Sequence, residues 1–312
     1  MHALAIAVLL AGGAAEPAPS PPGAAETVDF SADRSLRMTV PVSIGGRGPF
    51  DFVVDTGAER TVLSEELANT LGLGRTGSAN VHSISGVGRF ETVTVPSLSV
   101  TNTPVRNVRA PLFRRGDLGA EGLLGVDSLQ SKAILIDFAR QTIVITPASK
   151  TPDLEADDDS TIVIRARSRL GRLILADAAI GHRRIAVVID TGAEHSVGNF
   201  AMRKAAVKRG KASLLIPTTL HDVAGGSVPA EIALVDDMRL GSVTLMGMPI
   251  AFADLPVFRQ LGLDTRPAML LGMNTLRAFE QVAVDFATRK VRFVVPGGGN
   301  RETDTRIAAA AP

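Results

Sequence analysis

An all-β chain of two homologous lobes is the fold class this sequence predicts, on three observations. Short runs rich in Val, Ile, Thr and Leu, many of them alternating in polarity, are punctuated by Gly and Pro along the chain. The pentapeptide Asp55-Thr56-Gly57-Ala58-Glu59 recurs as Asp190-Thr191-Gly192-Ala193-Glu194, 135 residues later (190 minus 55). A second block, Leu123-Leu124-Gly125-Val126-Asp127-Ser128-Leu129, recurs in the same order as Leu270-Leu271-Gly272-Met273-Asn274-Thr275-Leu276, 147 residues later (272 minus 125). A period this long marks a duplicated domain and not a solenoid array.

Taken in order, residues 1–11 are an apolar run with no Lys or Arg before it, followed by the small residues Gly13, Ala14 and Ala15. That is the profile of a secretory signal, too short to span a bilayer comfortably. Export to the periplasm or the medium is the expectation, and tethering by an uncleaved N-terminal segment the alternative. Pro17, Pro19, Pro21 and Pro22 make an extended linker. Residues 16–35 are short for an inhibitory pro-segment. The predicted organisation is signal and linker over 1–27, a first lobe over 28–149, an acidic linker over 150–160, a second lobe over 161–296 and a disordered tail over 297–312.

Within the first lobe, strands are expected at 36–44, 50–54 and 91–100; within the second, at 161–165, 172–180, 185–189 and 231–234. Residues 38–50 read against 173–185, with Gly46 opposite Gly181 at a hairpin turn. Helical pattern is confined to 64–71, 199–209 and the turns that begin at Val126 and Met273. Val197-Gly198 stands where the first copy has Val62-Leu63, which should loosen the strand after the second Asp turn. Each copy closes on a matching strand and turn, Ile134 to Ala139 and Val282 to Ala287, in which Asp137 and Asp285 fit hairpin caps better than chemistry.

The 312 residues leave room for about two domains, and a 45% hydrophobic content can fill two cores. A net charge of +1 gives no sign of a nucleic-acid or anionic-membrane partner, and Arg203, Lys204, Lys208, Arg209 and Lys211 read as the solvated side of a short helix. With no cysteine, disulfides, thiol catalysis and thiolate metal sites are excluded. The acidic run Asp153, Glu155, Asp157, Asp158 and Asp159 lacks the spacing and glycine of a calcium loop. His82, His195 and His221 lack further ligands at sensible spacing, so no metal is expected, and no cofactor.

Each Asp turn follows an apolar run, Phe52-Val53-Val54 or Val187-Val188-Ile189. A carboxylate placed directly after a buried strand is costly unless it is paired, hydrogen-bonded or shared, and two such groups together can hold one proton between them. Gly57 and Gly192 permit the tight turn and close backbone approach. These motifs, covering most of residues 36–148 and 161–296, resemble the retropepsin-type branch of the aspartic proteases. The resemblance implies Asp55 and Asp190 as the catalytic pair. It implies Thr56, Gly57, Ala58, Thr191, Gly192 and Ala193 as supporting turn residues, with each threonine hydroxyl gripping the opposite loop. It also implies a polypeptide substrate, and a monomer, since one chain carries both lobes.

In the slot where that family carries flaps lie two Gly-rich hairpin tips, 81–88 and 220–227, with Ser85, Gly86, Ala224 and Gly225 as candidate substrate contacts through strand addition. No Tyr is available for a pepsin-like flap. Ala58 and Ala193 replace the hydroxyl residue of pepsin-like enzymes. Without that donor the pair should titrate higher, favouring a mildly acidic optimum. The predicted activity is aspartic endopeptidase; the alternative is a peptide-binding protein that keeps the fold without turnover.

Overall fold

A computed structural model describes residues 26–29, 31–32, 37–100, 104–147, 160–175, 177–208, 210–297 and 306–308. The signal-like start, the acidic linker up to residue 159 and most of the tail lie outside the described residues.

Both lobes are built on one plan. In the N-terminal lobe, Met38–Ile44 and Arg47–Val54 form an antiparallel hairpin around Gly45 and Gly46, whose φ values of 57° and 77° a side chain would resist. Arg47–Val54 ends at Asp55. Gly122–Leu124 runs parallel to it, and Val62–Ser64 pairs antiparallel with Gly122–Leu124. The C-terminal lobe repeats this arrangement. Ala186–Ile189 ends at Asp190, Ala268–Leu271 runs parallel beside it, and Ser196–Gly198 pairs antiparallel with Ala268–Leu271. In each lobe the Leu-Leu-Gly strand therefore lies between the strand entering the Asp turn and the strand leaving it.

The expected helices form. Glu65–Leu71 is capped by Ser64 Oγ, which accepts from Leu67 N–H at 3.0 Å, and Gly72 ends it in the left-handed conformation. Phe200–Lys208 begins after Asn199, whose Oδ1 accepts from Met202 N–H at 2.8 Å. Short helices also follow Gly125 and Gly272, at Val126–Leu129 and Met273–Leu276. Two further ones, Arg115–Leu118 and Pro256–Gln260, were too short to show helical periodicity in the sequence.

Three expectations need correction. The strand predicted over 172–180 is two strands, Arg172–Leu175 and Ala178–Ile180, which join different sheets. Apart from Arg172, both halves are apolar and buried, so composition alone hid the break. The segment around Gly198 is not loose: a β-carbon there would press on Met202 and Phe252, and the glycine gives way to their close packing. Finally, Arg306–Ala308 falls in the tail expected to be disordered, yet it pairs parallel with Val243–Met246, supplying partners to an open strand edge.

The lobes share a sheet. Lys132–Asp137 of the first lobe pairs antiparallel with Gln281–Asp285 of the second. Glu26–Asp29 and Thr142–Pro147 extend the sheet on one side, Lys290–Val294 and Thr161–Arg169 on the other. Asp137 and Asp285 cap the closing turns: Asp137 accepts from Arg140 N–H at 2.8 Å, and Asp285 from the Ala287 and Thr288 N–H groups at 2.9 Å. One apolar core runs through this seam from lobe to lobe. Phe293, fully buried, packs on Phe279 with ring centroids 4.8 Å apart. Replacing Phe293 by Ala should cost about 3–5 kcal/mol, read by chemical denaturation; a loss below about 1 kcal/mol would contradict this placement.

Candidate active site

The two Asp turns meet across the lobe interface. A β-carbon on Gly57 would collide with the Asp190 carboxyl, and one on Gly192 with the Asp55 carboxyl, so each carboxyl rests on the other turn's glycine. Glycine is required here for close approach. Asp55 Oδ1 accepts from the N–H groups of Gly57 and Ala58 at 2.8 and 2.9 Å. Asp190 Oδ1 accepts from those of Gly192 and Ala193, both at 3.1 Å. Each turn thus solvates its own carboxyl with backbone donors.

The threonines tie the turns together reciprocally. Thr56 N–H donates to Thr191 Oγ1 at 3.1 Å, and Thr191 N–H to Thr56 Oγ1 at 3.2 Å. The hydroxyls then donate onward, Thr56 to Ile189 O at 2.9 Å and Thr191 to Val54 O at 2.6 Å. Both threonines are buried, so all four bonds lie away from water.

Behind each turn stands a second duplicated network that sequence reasoning overlooked. Thr61 Oγ1 accepts from Gly125 N–H at 3.2 Å and donates to Asp127 Oδ1 at 2.8 Å, and it lies 2.7 Å from Ser128 Oγ. Ser196 Oγ accepts from Gly272 N–H at 3.0 Å and donates to Asn274 Oδ1 at 3.0 Å, and it lies 2.7 Å from Thr275 Oγ1. The signal was present: Thr61 and Ser196 stand 135 apart (196 minus 61), a hydroxyl residue in both copies. Gly125 and Gly272 are needed because a β-carbon would strike the backbone at Arg60 and at His195.

A cavity of about 560 Å³ opens over both carboxyls, lined by both turns and both hairpin tips. The tips cross. Ile84 of the first packs on the C-lobe apolar cluster, and Val223 and Ala224 of the second pack on the N-lobe cluster. They are also bonded to each other: Asp222 Oδ2 accepts from Ser85 Oγ–H at 2.5 Å and Ser85 N–H at 3.2 Å, while its Oδ1 accepts from Ala224 and Gly226 N–H. Burial pushes the Asp222 carboxyl up, but the hydrogen bonds from Ser85 and Gly226 outweigh it and hold it below the ordinary range.

Of the four predicted contact residues, Ser85 bonds across this tip contact, while Ala224 N–H donates to Asp222 Oδ1 within its own turn. Gly86 and Gly225 use backbone groups within their own turns, Gly86 O accepting from Ser83 N–H and Gly225 N–H donating to Asp222 O. The hairpin residues that line the cavity include Val81, His82, Ser83 and Ile84 of the first and Leu220, His221, Asp222 and Val223 of the second. His82, His195 and His221 are exposed. Among the described residues no three His, Asp or Glu side chains converge as a metal site would require.

Asp55 and Asp190 are half-buried and both line the cleft. Burial raises Asp55, while the Gly57 and Ala58 N–H groups and the guanidiniums of Arg37 and Arg172 oppose the rise. Burial also raises Asp190, the Asp55 charge adds to it, and the group is pushed up to about 7.

A bilobal β fold that brings two Asp-Thr-Gly turns together under paired hairpins defines the aspartyl protease class. The family described as "gag-polyprotein putative aspartyl protease" matches residues 40–131, and the family described as "Aspartyl protease" matches residues 176–275. The chain belongs to the retropepsin-like aspartic protease family. A search of curated proteins found no match to it.

Two outcomes follow for the site. Thr191→Val leaves Thr56 N–H and Val54 O buried without their partner, at about 1–3 kcal/mol for each group, so denaturation should show at least that loss. Because Asp190 titrates higher folded than unfolded, its contribution to stability is fully present below the ordinary carboxylate range and is lost as pH rises toward 7. Asp190→Asn should therefore be more stable than the parent at pH 7, with the gap closing near pH 4. A gap that does not change with pH would contradict the raised titration.

Proposed function

We propose that the protein is an aspartic endopeptidase that hydrolyses extended polypeptides with Asp55 and Asp190 as its catalytic pair. The observation that carries this reading is the reciprocal seating of each carboxyl on the other turn's glycine. Two carboxyls so close cannot both ionise readily, and one proton is shared between them, the arrangement for which aspartic proteases are the standard example.

The mechanism needs only that proton and a water. The ionised carboxylate takes a proton from the water as its oxygen attacks the peptide carbonyl carbon. The protonated carboxyl hydrogen-bonds the carbonyl oxygen and transfers its proton as the tetrahedral diol forms. The newly protonated carboxyl then gives its proton to the amide nitrogen, and the other carboxylate takes one back from a hydroxyl of the diol. The C–N bond breaks, releasing an acid and an amine and restoring the one-proton pair. Chemistry of this kind requires neither a covalent intermediate nor a metal.

Substrate lies beneath the crossed tips between two apolar walls. One is formed by Val62, Phe113 and Leu123, the other by Val197, Leu255 and Leu270. Aliphatic side chains on either side of the scissile bond suit those walls. One chain supplies both turns, so the active form is a monomer. The apolar start and proline-rich linker support an exported enzyme.

Denatured casein, incubated across mildly acidic pH, tests the reading. Cleavage should vanish, by at least a thousandfold, in both Asp55→Asn and Asp190→Asn while each variant stays folded. The rate should also decline as pH passes about 7, where Asp190 loses its proton. Cleavage that persists in either variant would remove the pair from catalysis.

A further inference from the structure

The C-lobe wall of the cleft continues beyond the cleft. In the second hairpin, Ile216–His221 pairs antiparallel with Ser227–Val235, bringing Leu220 opposite Val228, Thr218 opposite Ala230 and Ile216 opposite Ile232. Side chains two apart on a strand share a face, and directly paired residues share it too. Leu220, Val228 and Ala230 belong with Val197, Leu255 and Leu270 in the apolar cluster that walls the cleft. The same face runs outward through Ile216 and Ile232. Beyond them the two segments stay joined, Ser213 N–H donating to Leu234 O at 2.9 Å, and carry Leu214 and Leu234 into solvent. Leu215, between Leu214 and Ile216, turns to the core instead. Leu234 is 51% exposed, Ile216 58% and Leu214 83%, and no position along this strip carries a charge.

The first lobe builds its hairpin without such a strip. His82 and His221 stand 139 apart (221 minus 82), and at that offset Gly77 and Arg75 take the places of Ile216 and Leu214. There the apolar face ends at the pair Ala79 and Phe90. Arg109 covers the next position: a β-carbon on Gly77 would stand 3.1 Å from its Nη2, and its Nε donates to Thr92 Oγ1 at 3.3 Å. Arg75 is bonded to Asn69 and Glu91. One hairpin thus closes its outer end with charge, while the other leaves aliphatic side chains in water. A contiguous apolar surface of that kind marks a contact. Among the described residues Ile216–His221 is the last strand of its sheet, but Pro217 has no N–H to offer along that edge, which disfavours pairing with a strand of a second copy. The face, not the edge, is left for a partner.

Building on the endopeptidase reading, we propose that this strip is a second contact surface for the substrate itself, taking an apolar stretch of an extended polypeptide whose neighbouring segment lies in the cleft. Continuity selects this occupant, because strip and cleft wall are one sheet face and a chain leaving the cleft along the second hairpin passes onto it. Leu220 to Leu214 is six residue steps, about 20 Å at the rise of a strand. The substrate class is then an unfolded protein with a second aliphatic or aromatic stretch about six residues beyond the segment held in the cleft. Peptides that fill the cleft alone forgo the contact.

Binding and cleavage test this separately. Asp55→Asn protein, inactive on the endopeptidase reading, is titrated with fluorescein-labelled denatured casein and followed by anisotropy. Adding Leu214→Ser, Ile216→Ser and Leu234→Ser together should weaken binding about tenfold or more, the worth of burying even one such side chain. In the protein with both aspartates, the same three substitutions should raise KM for denatured casein by a similar factor with kcat within about twofold, and leave kcat/KM for a short fluorogenic peptide within about twofold. Unchanged casein binding, or equal losses on casein and the short peptide, overturns the proposal. So does a dimer, seen by sedimentation velocity, that the three substitutions dissociate, since the surface then belongs to a second copy. Should the triple variant fail to fold, Leu214→Ser alone, at the most exposed of the three positions, should weaken casein binding at least about twofold. Loss of cleavage in Asp55→Asn reports on the catalytic pair by itself, so either conclusion can fail alone.

Discussion

Four buried hydrogen bonds between Thr56 and Thr191 and the strands they face set the geometry on which everything else depends. Each threonine uses its hydroxyl as acceptor for one backbone group and donor to another, so removing either orphans two backbone groups on the opposite lobe. The bonds fix the spacing of the turns, and the glycines following the threonines then let each carboxyl lie on the opposite backbone. Burial of two carboxyls is unfavourable by itself. Here it is offset by turn N–H donors, by buried arginines and by retention of a proton, which is why the raised titration and the geometry are one fact seen twice.

The rest of the lobe is scaffolding for that contact. The strand entering each turn is flanked by its Leu-Leu-Gly partner, and a hydroxyl of Thr61 or Ser196 locks the two segments together below the turn. The six-stranded seam, with Lys132–Asp137 against Gln281–Asp285, holds the two lobes in one register. Pseudo-symmetry is kept wherever the backbone is supported and broken where the cleft is lined. Arg172 and Arg37 make different bonds, and one hairpin tip carries Asp222 where the other offers Ser85 as donor.

Much of this was legible in the sequence because the duplication lets one copy interpret the other. Asp55 and Asp190, their glycines and the Leu-Leu-Gly strands stand out through repetition, and the main strands through alternation and turn residues. What stayed hidden depends on contacts distant along the chain. Arg172 reaches Gly57 from 115 positions away, and Asp222 meets Ser85 from 137, so no local pattern marks either pair. The break at Ala178–Ile180 was concealed because both flanking strands are apolar, and Gly198 read as loose because its reason for being glycine, Met202 and Phe252, lies in tertiary packing. Thr61 and Ser196 were available from the repeat, but a single hydroxyl in an apolar strand carries no chemistry until its partner on the Leu-Leu-Gly segment is known.

Neutron diffraction from deuterated crystals grown near pH 5.5 would test the central claim most directly, because it locates hydrogen at the two carboxyls. One deuteron on or between the Asp55 and Asp190 oxygens is the result this account predicts. Two fully occupied deuterons, none at all, or carboxyls held apart with separate hydration would contradict it.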